Sequence, residues 1–420
     1  MIYDLAVVGA GPAGSSTAIA AAKAGLSVLL LEKKNVGRDK YCGGGITVLA
    51  RKYLKDIGAS EVEEVFERFS EGHVLILPGE KILIDAIKGH GYYLVRRSRF
   101  DGKLMEIAQS LGAKFKPETE VNRINAEGDK VVISDRKGEK YEARYVVVAT
   151  GADDRIPLSM GFPRREKEGL GHCWGTEAPY DVDTQIKKWR SEYGFTPLFF
   201  IFGILTYGYF WIFPKAGHMN VGMGTTLEES AKYGELHLKG YAKGLEAAKK
   251  LGILDNTKPF KVNMSWIIPG RPREKTYSAK KRALLVGDAA GFVYPLTGEG
   301  ISSSICSGML AAQTVKKALD SEDPGRLAEY EKLWWNEFGE EMFVYGVKLT
   351  QLMYSSPLAQ KMGLYSIMND EKATKLLSTL LYRADKRAGE KLYKYIVRQM
   401  PLMILKALKP AKRRNYSNLS

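Results

Sequence analysis

The sequence predicts a mixed α/β protein, with a parallel sheet at its start, strands of a second sheet in its middle and helices at its end. Three observations predict it. The first 32 residues read strand, glycine turn, helix, strand, a βαβ unit of Rossmann type. Two later apolar runs, Val146–Val148 before Ala149-Thr150-Gly151 and Ala283–Val286 before Gly287-Asp288, end in Gly in the manner of buried parallel strands. From Leu327 onward, Tyr330, Leu333, Trp334, Phe338, Met342 and Tyr345 fall at three- and four-residue spacing, the helical period.

The elements follow in order. Tyr3–Val8 leads into Gly9-Ala10-Gly11-Pro12-Ala13-Gly14, an Ala-rich helix to Ala24 and a strand Leu26–Leu31 ending at Glu32. Ala113–Pro117 reads as a further strand. Val131–Ser134 and Tyr141–Tyr145 flank the polar turn Asp135-Arg136-Lys137-Gly138 as a hairpin. Phe195–Pro214 approaches transmembrane length. Its aromatic and β-branched residues, Gly203, Gly208 and flanking prolines instead predict two buried strands joined near Thr206-Tyr207-Gly208. Pro357, Pro401 and Pro410 divide the helical end.

The 420 residues allow two or three domains. With 45% hydrophobic and 26% charged residues, a disordered or fibrous chain is excluded. Cys42, Cys173 and Cys306 are far apart and no HExxH or CxxC spacing occurs, so neither a disulfide framework nor a metal site is expected. The apolar stretch after Met1 is broken by glycines and has no basic leader, so no secretory signal is expected and the reducing cytoplasm is the expected compartment.

The net charge is +15, and the last fifty residues hold thirteen Lys and Arg against three acids. Such a patch attracts lipid headgroups, a phosphorylated substrate or nucleic acid. Leu392–Leu408 mixes apolar residues with bases, which suits the cytoplasmic membrane face; a solvated basic helix face is the alternative. No nucleic-acid motif accompanies the charge, so no nucleic-acid partner is expected.

Gly9, Gly11 and Gly14, with Ala13 between, complete G-x-G-x-x-G between strand and helix. Glu32 stands where an acid can bind ribose hydroxyls. The context is that of a dinucleotide site; a plain structural turn is the alternative. Towards the other end, Gly287-Asp288 closes a strand, and Pro295-Leu296-Thr297-Gly298-Glu299-Gly300-Ile301 leads into a Ser-rich helix. This combination resembles the second fingerprint of the p-hydroxybenzoate hydroxylase-like flavoproteins. The resemblance implies FAD as cofactor, with Asp288 on its ribityl chain and Gly300 and Ile301 at the pyrimidine end of the ring. A helix N-terminus there stabilises the negative charge of reduced flavin. Arg97-Ser98-Arg99-Phe100-Asp101 is similar to the superfamily's R-x-x-F-D, which implies that Arg97 reaches the cofactor; Val121, after the strand Ala113–Pro117, matches a superfamily position whose backbone meets the adenine.

The fold so implied is an FAD-binding domain (1–50, 91–160 and 280–325), an inserted antiparallel-sheet substrate domain (51–90 and 161–279) and a helical basic region (326–420). Thr150-Gly151-Ala152-Asp153-Asp154 is similar to the superfamily's A-T-G-A-D-G, but Asp154 replaces the last Gly. With a single G-x-G-x-x-G, no second Rossmann domain for NADPH is expected.

Two motifs narrow the family. Tyr209-Phe210-Trp211-Ile212-Phe213-Pro214 with Gly222-Met223-Gly224 fits Y-x-W-x-F-P-x7-G-x-G, and Lys40-Tyr41-Cys42-Gly43-Gly44-Gly45 supplies a C-G-G-G turn. Both resemble the geranylgeranyl reductases, in particular archaeal enzymes that saturate the isoprenoid chains of membrane lipids, over roughly residues 1–310. The resemblance implies an FAD-dependent reductase of geranylgeranyl chains. Its substrate is a geranylgeranyl lipid or diphosphate, and its electron donor is ferredoxin, NADPH or another reduced cofactor.

The residues agree with that chemistry. Strand alternation puts Tyr209, Trp211 and Phe213 on one face, where with Gly222 they form a candidate substrate wall. Phe199, Ile201 and Phe202 extend it, unless Phe199–Ile204 is an ordinary core strand. An isolated alkene has no carbonyl to polarise, so saturation needs a hydride and a proton, with cation-like character that Trp211 or Tyr209 can stabilise. Cys42 and Tyr209 are the candidate proton donors, an inert buried thiol being the alternative for Cys42. Gly43, Gly44 and Gly45 are expected beside the flavin ring in a loop that swings. Cys173 and Cys306 read as packing residues, His172 and His218 as structural ones. Two other readings remain: a flavin monooxygenase or halogenase of an apolar substrate, and a prenyl-binding chaperone like the Rab GDP-dissociation inhibitors.

Overall fold

A computed structural model describes residues 1–37, 40–77, 80–86, 90–233, 236–255 and 260–408. The strand Ile2–Val8 is apolar on both faces and lies at the centre of an eight-stranded sheet. It pairs in parallel with Val28–Leu31 on one side and Lys140–Val148 on the other. Lys114–Lys116 and Ala283–Leu285 extend the parallel order outward. The expected hairpin is present as an antiparallel ladder of Val121–Glu127, Lys130–Asp135 and Lys140–Val148.

Helix Pro12–Lys23 crosses helix Ile301–Asp320 at very short range. A Cβ on Gly308 would lie 2.4 Å from the Ala13 carbonyl oxygen. Ser303, Ser304, Ser307 and Gly308 of the second helix are all buried. Gly308 makes the close crossing possible, while the Ser307 hydroxyl accepts from Gly287 N at 3.0 Å and that of Ser303 donates to the Phe292 carbonyl.

A second, seven-stranded sheet runs in the order Met264–Pro269, Leu170–Pro179, His218–Thr226, Tyr209–Pro214, Pro197–Ile201, Gly72–Leu77, Glu80–Ala86. All its pairs are antiparallel except Pro197–Ile201 with Gly72–Leu77. The segment Phe195–Pro214 is thus two buried strands, as its composition requires. The sheet has two covered faces. Leu198, Phe200, Phe202 and Trp211 join the core of the parallel-sheet region. Phe199, Ile201, Phe210 and Ile212 form a second core under helix Val182–Tyr193 and Tyr241. Phe199 and Ile201 therefore lie on the face opposite to Trp211, and Phe200 takes the place expected of them; the two-residue strand period sets this parity.

The C-terminal part is helical. Glu329–Trp334 runs through two π-helical stretches, Trp335–Gly339 and Glu341–Gly346, into Val347–Tyr354. Tyr330, Trp334, Phe338 and Met342 are buried, as their spacing predicts. Pro357 and Pro401 each stand in the first turn of a helix; Pro410 lies outside the described residues. Among the described residues no helix is long and apolar enough to cross a membrane.

Candidate active site

Gly9 has φ 103°, and a Cβ there would lie 2.4 Å from the Ala149 oxygen; a Cβ on Gly14 would lie 1.8 Å from the Gly9 oxygen. Both positions exclude any side chain. Gly11 is extended and hands over to Pro12 at the helix start, where proline loses nothing because first-turn N–H groups have no partner within the helix. The buried carboxylate of Glu32 accepts from Ala10 N (2.9 Å) and Lys34 N (3.0 Å).

These residues open onto a cavity of about 490 Å³. Of the expected cofactor residues, Gly9, Gly11, Ala13, Glu32, Arg97, Val121 and Asp288 line it. Gly14 backs the turn. Gly300, at the N-terminus of Ile301–Asp320, flanks Asp288: a Cβ on it would lie 3.6 Å from the Asp288 carboxylate. Gly300, Ile301 and Gly43–Gly45 are not among the lining residues.

Arg97 is buried and forms a two-point ion pair with Asp101 at 2.8 and 2.9 Å. Burial works against its charge, but Asp101 and the Cys42 sulfur outweigh burial and hold the guanidinium above its ordinary range. Spacing found Arg97; it did not find Lys40, Trp266 or His172. Lys40 Nζ pairs with Asp288 at 3.2 Å and stands 5.1 Å over the Trp266 ring. His172, read as structural, lines the same cavity, with Nδ1 2.7 Å from Ser230 Oγ. His218 opens the strand His218–Thr226, away from the cavity, with Nδ1 3.2 Å from the Ala216 carbonyl. No local pattern marks Trp266 or His172, because they reach the cavity only through the pairing of Leu170–Pro179 with Met264–Pro269.

The glycine that Asp154 replaces has a structural successor. The Asp154 carboxylate pairs with Arg165 at 2.6 Å and with buried Arg273. Arg165 and Arg273 also donate to the Ala289 carbonyl. Burial, then neighbouring Arg165, push Arg273 down to about 10, while Asp154 opposes them. These bonds tie the Thr150–Asp154 loop to the Gly287–Ala289 turn.

The Y-x-W-x-F-P-x7-G-x-G spacing is a register. Tyr209 stands opposite Gly224, Trp211 opposite Gly222 and Phe213 opposite Asn220. A Cβ on Gly222 would lie 1.9 Å from the Tyr41 hydroxyl and 2.3 Å from Trp211 Cζ2. Each glycine is the room into which rings fold. Tyr41 fills this hollow, stacked 5.9 Å from Trp211, and its hydroxyl donates to the Val221 carbonyl at 2.8 Å.

Trp211 is therefore buried behind Tyr41 and does not line the cavity. Tyr209 and Phe213 keep partial exposure. The Tyr209 hydroxyl donates to the Thr297 carbonyl, which joins the aromatic face to the loop before Gly300.

The C-G-G-G loop packs closely against its neighbours. A Cβ on Gly43 would lie 2.6 Å from the Phe213 ring, and one on Gly44 (φ 73°) 2.1 Å from the Val95 oxygen. Gly43 and Gly44 serve close approach here. Cys42 Sγ accepts from Gly44 N at 3.4 Å. Cys306 is fully buried, and burial pushes its thiol up to about 12. Burial, with Cys42 nearby, does the same to Cys173.

The sequence profile of the pyridine nucleotide-disulphide oxidoreductases matches residues 3–184. Digeranylgeranylglycerophospholipid reductase 2 of Methanopyrus kandleri is 33% identical to this chain over 84% of it and 87% of the relative. The chain belongs to the digeranylgeranylglycerophospholipid reductase family. A geranylgeranyl bacteriochlorophyll reductase-like protein from Thermoplasma acidophilum has the same fold (TM-score 0.74, 24% identity, 96% of this chain and 99% of that one). So does a variant of halogenase PltM in complex with FAD (TM-score 0.69, 17% identity, 98% and 93%).

The residues present fit FAD. The glycine cradle at Gly9 and Gly14 admits no Cβ, the helix start offers free N–H groups that suit a pyrophosphate, and Glu32 stands where it can meet the ribose.

Proposed function

We propose that this member of the family is an FAD-dependent reductase that saturates the geranylgeranyl chains of membrane lipid precursors. The observation that carries the reading is the register of Trp211 on Gly222 and Tyr209 on Gly224, with Tyr209 bonded to the loop beside Asp288 and Gly300. FAD, once reduced by the electron donor, would supply a hydride; the chain supplies the position, the dry surface and the proton.

Glu32 and the glycine turn hold the dinucleotide, while Arg97 and Asp288 hold its middle. The Phe200 ring, 5.4 Å from that of Tyr209 and 5.5 Å from that of Phe213, forms with them the surface that excludes water from the alkene. Burial first, then Cys173, raises the Tyr209 phenol above its ordinary range, so it stays protonated, and its proton is committed to Thr297. In this reading Cys42 Sγ therefore carries the proton given to the alkene carbon. Trp211 acts behind Tyr41 as a support. The division into residues 1–50, 91–160 and 280–325 for the cofactor, 51–90 and 161–279 for the substrate, and 326–420 for the helical region belongs to the same proposal.

Such a reductase takes a lipid substrate and a reduced electron donor. The surface that meets the lipid's membrane is in this reading the C-terminal one. Helices Ala388–Arg398 and Met400–Ala407 leave Val397, Leu402, Ile404, Leu405 and Leu408 exposed beside the basic excess. Of the cations expected there, Lys406 is held by Asp370 at 2.6 Å, and Lys409 and Arg413 lie outside the described residues.

The test is anaerobic. Enzyme reduced with dithionite and mixed with a geranylgeranyl lipid should recover its oxidised flavin spectrum, and the product should gain the mass of H2 for each bond saturated. No recovery with any prenyl substrate overturns the reading. A donor screen with ferredoxin and NADPH, read by bleaching of the flavin, identifies the reductant.

A further inference from the structure

Behind Trp211 lies a polar cluster that no part of the reaction uses. Asn220 is fully buried, and its amide makes three hydrogen bonds. Oδ1 accepts from Trp211 Nε1 at 2.8 Å, while Nδ2 donates to the Cys42 carbonyl at 3.1 Å and to Glu177 Oε2 at 3.0 Å. Glu177 Oε2 also accepts from Lys215 Nζ at 2.5 Å, and the Lys215 side chain has no exposed surface. The ammonium stands against the loop as well, since a Cβ on Gly44 would lie 3.0 Å from it.

Phe213, Asn220 and Glu177 sit abreast on three adjacent strands, so the sheet itself fixes the cluster. A buried charge pair contributes little net stability, and its loss of one partner is costly.

The polarity of this amide is fully determined. The indole N–H can meet only an acceptor, and the Cys42 carbonyl and the Glu177 carboxylate can meet only a donor. Lys215 keeps Glu177 in place, Glu177 and Trp211 orient Asn220, and Asn220 grips the backbone of the residue that carries the thiol. We propose that Asn220, oriented by the Lys215–Glu177 pair, is a positioning residue that holds the Cys42 thiol in its place. The proposal rests on the reading of Cys42 as proton donor.

Asn220→Asp tests it, because the shape is kept while an acceptor replaces the donor facing the Cys42 carbonyl. On FAD-loaded enzyme, alkylation by iodoacetamide is followed at each cysteine by peptide mass. The expected result is a rise at Cys42 of roughly tenfold, a shift of about 1.4 kcal/mol in loop opening, with Cys306 unchanged and kcat lowered at constant KM.

An unchanged Cys42 rate in folded Asn220→Asp overturns the proposal. An equal rise at Cys306 overturns it too, since that is general loosening. Should Asn220→Asp not fold, Trp211→Phe removes the donor that orients the amide. A Cys42 rate raised severalfold then supports the proposal, and an unchanged rate overturns it. The thiol rates need no prenyl substrate, so their outcome is separate from that of the flavin reoxidation test.

Discussion

Trp211 and Gly222 face each other across adjacent antiparallel strands, and the glycine leaves the space that both Trp211 and Tyr41 occupy. Gly222→Ala would put a methyl 1.9 Å from the Tyr41 hydroxyl and 2.3 Å from the indole. Neither ring can retreat into a packed core, so overpacking should destabilise the protein by about 1–3 kcal/mol and unseat the Cys42 loop. Thermal unfolding and the Cys42 alkylation rate measure the two effects.

Glu32 binds the backbone on both sides of the cofactor turn, at Ala10 and Lys34. Glu32→Ala removes two charge-assisted hydrogen bonds, each contributing roughly 1.5–3 kcal/mol. FAD retention should fall by at least about tenfold, read by flavin titration of the apoprotein. A protein that keeps wild-type affinity would show that the carboxylate organises nothing the cofactor needs.

Asp154→Gly restores the superfamily residue and strips Arg165 and Arg273 of their shared carboxylate. Breaking a largely buried pair from one side leaves uncompensated charge, so stability in urea should drop by about 3 kcal/mol. Restoring the motif should thus weaken this chain.

The Cys306 thiol gives the protein an alkaline limb. Its folded value is raised from the ordinary range near 9 to about 12, so between those values the folded state holds a proton that the unfolded state has lost. Stability falls as pH rises through that window, by at most about 1.4 kcal/mol per pH unit from this group. Cys306→Ala should flatten the pH dependence of unfolding above pH 9.

Leu402 and Leu405 are 44% and 60% exposed on the last described helix. Replacing both by Gln should weaken binding to vesicles of anionic lipid by about tenfold, given about 0.8 kcal/mol per buried CH2. Sedimentation with the vesicles measures it.

Local pattern was enough for the elements that are themselves local. The βαβ opening, the hairpin at Asp135–Gly138, the two strands within 195–214 and the helical end all follow from periodicity and turn chemistry, since neighbouring residues decide them. The cofactor turn was legible for the same reason: Gly9, Gly11, Gly14 and Glu32 obey steric rules confined to one βαβ unit. Phe199 and Ile201 lie in the second core, which is the ordinary-core alternative for Phe199–Ile204, and they cannot extend the Trp211 wall because alternate residues of one strand point apart.

From the chain's order of residues alone came a dinucleotide cradle, an aromatic strand with two glycines at fixed distance, and a basic tail. Folding settled which of these meet. It put Trp211 behind Tyr41, brought Lys40 to Asp288 across 248 positions and set His172 and Trp266 at the cavity. It also gave Asn220 the Cys42 carbonyl to hold. Contacts between distant segments depend on strand register and sheet packing, which no short stretch of sequence encodes, whereas a turn or a cap is complete within its own few residues.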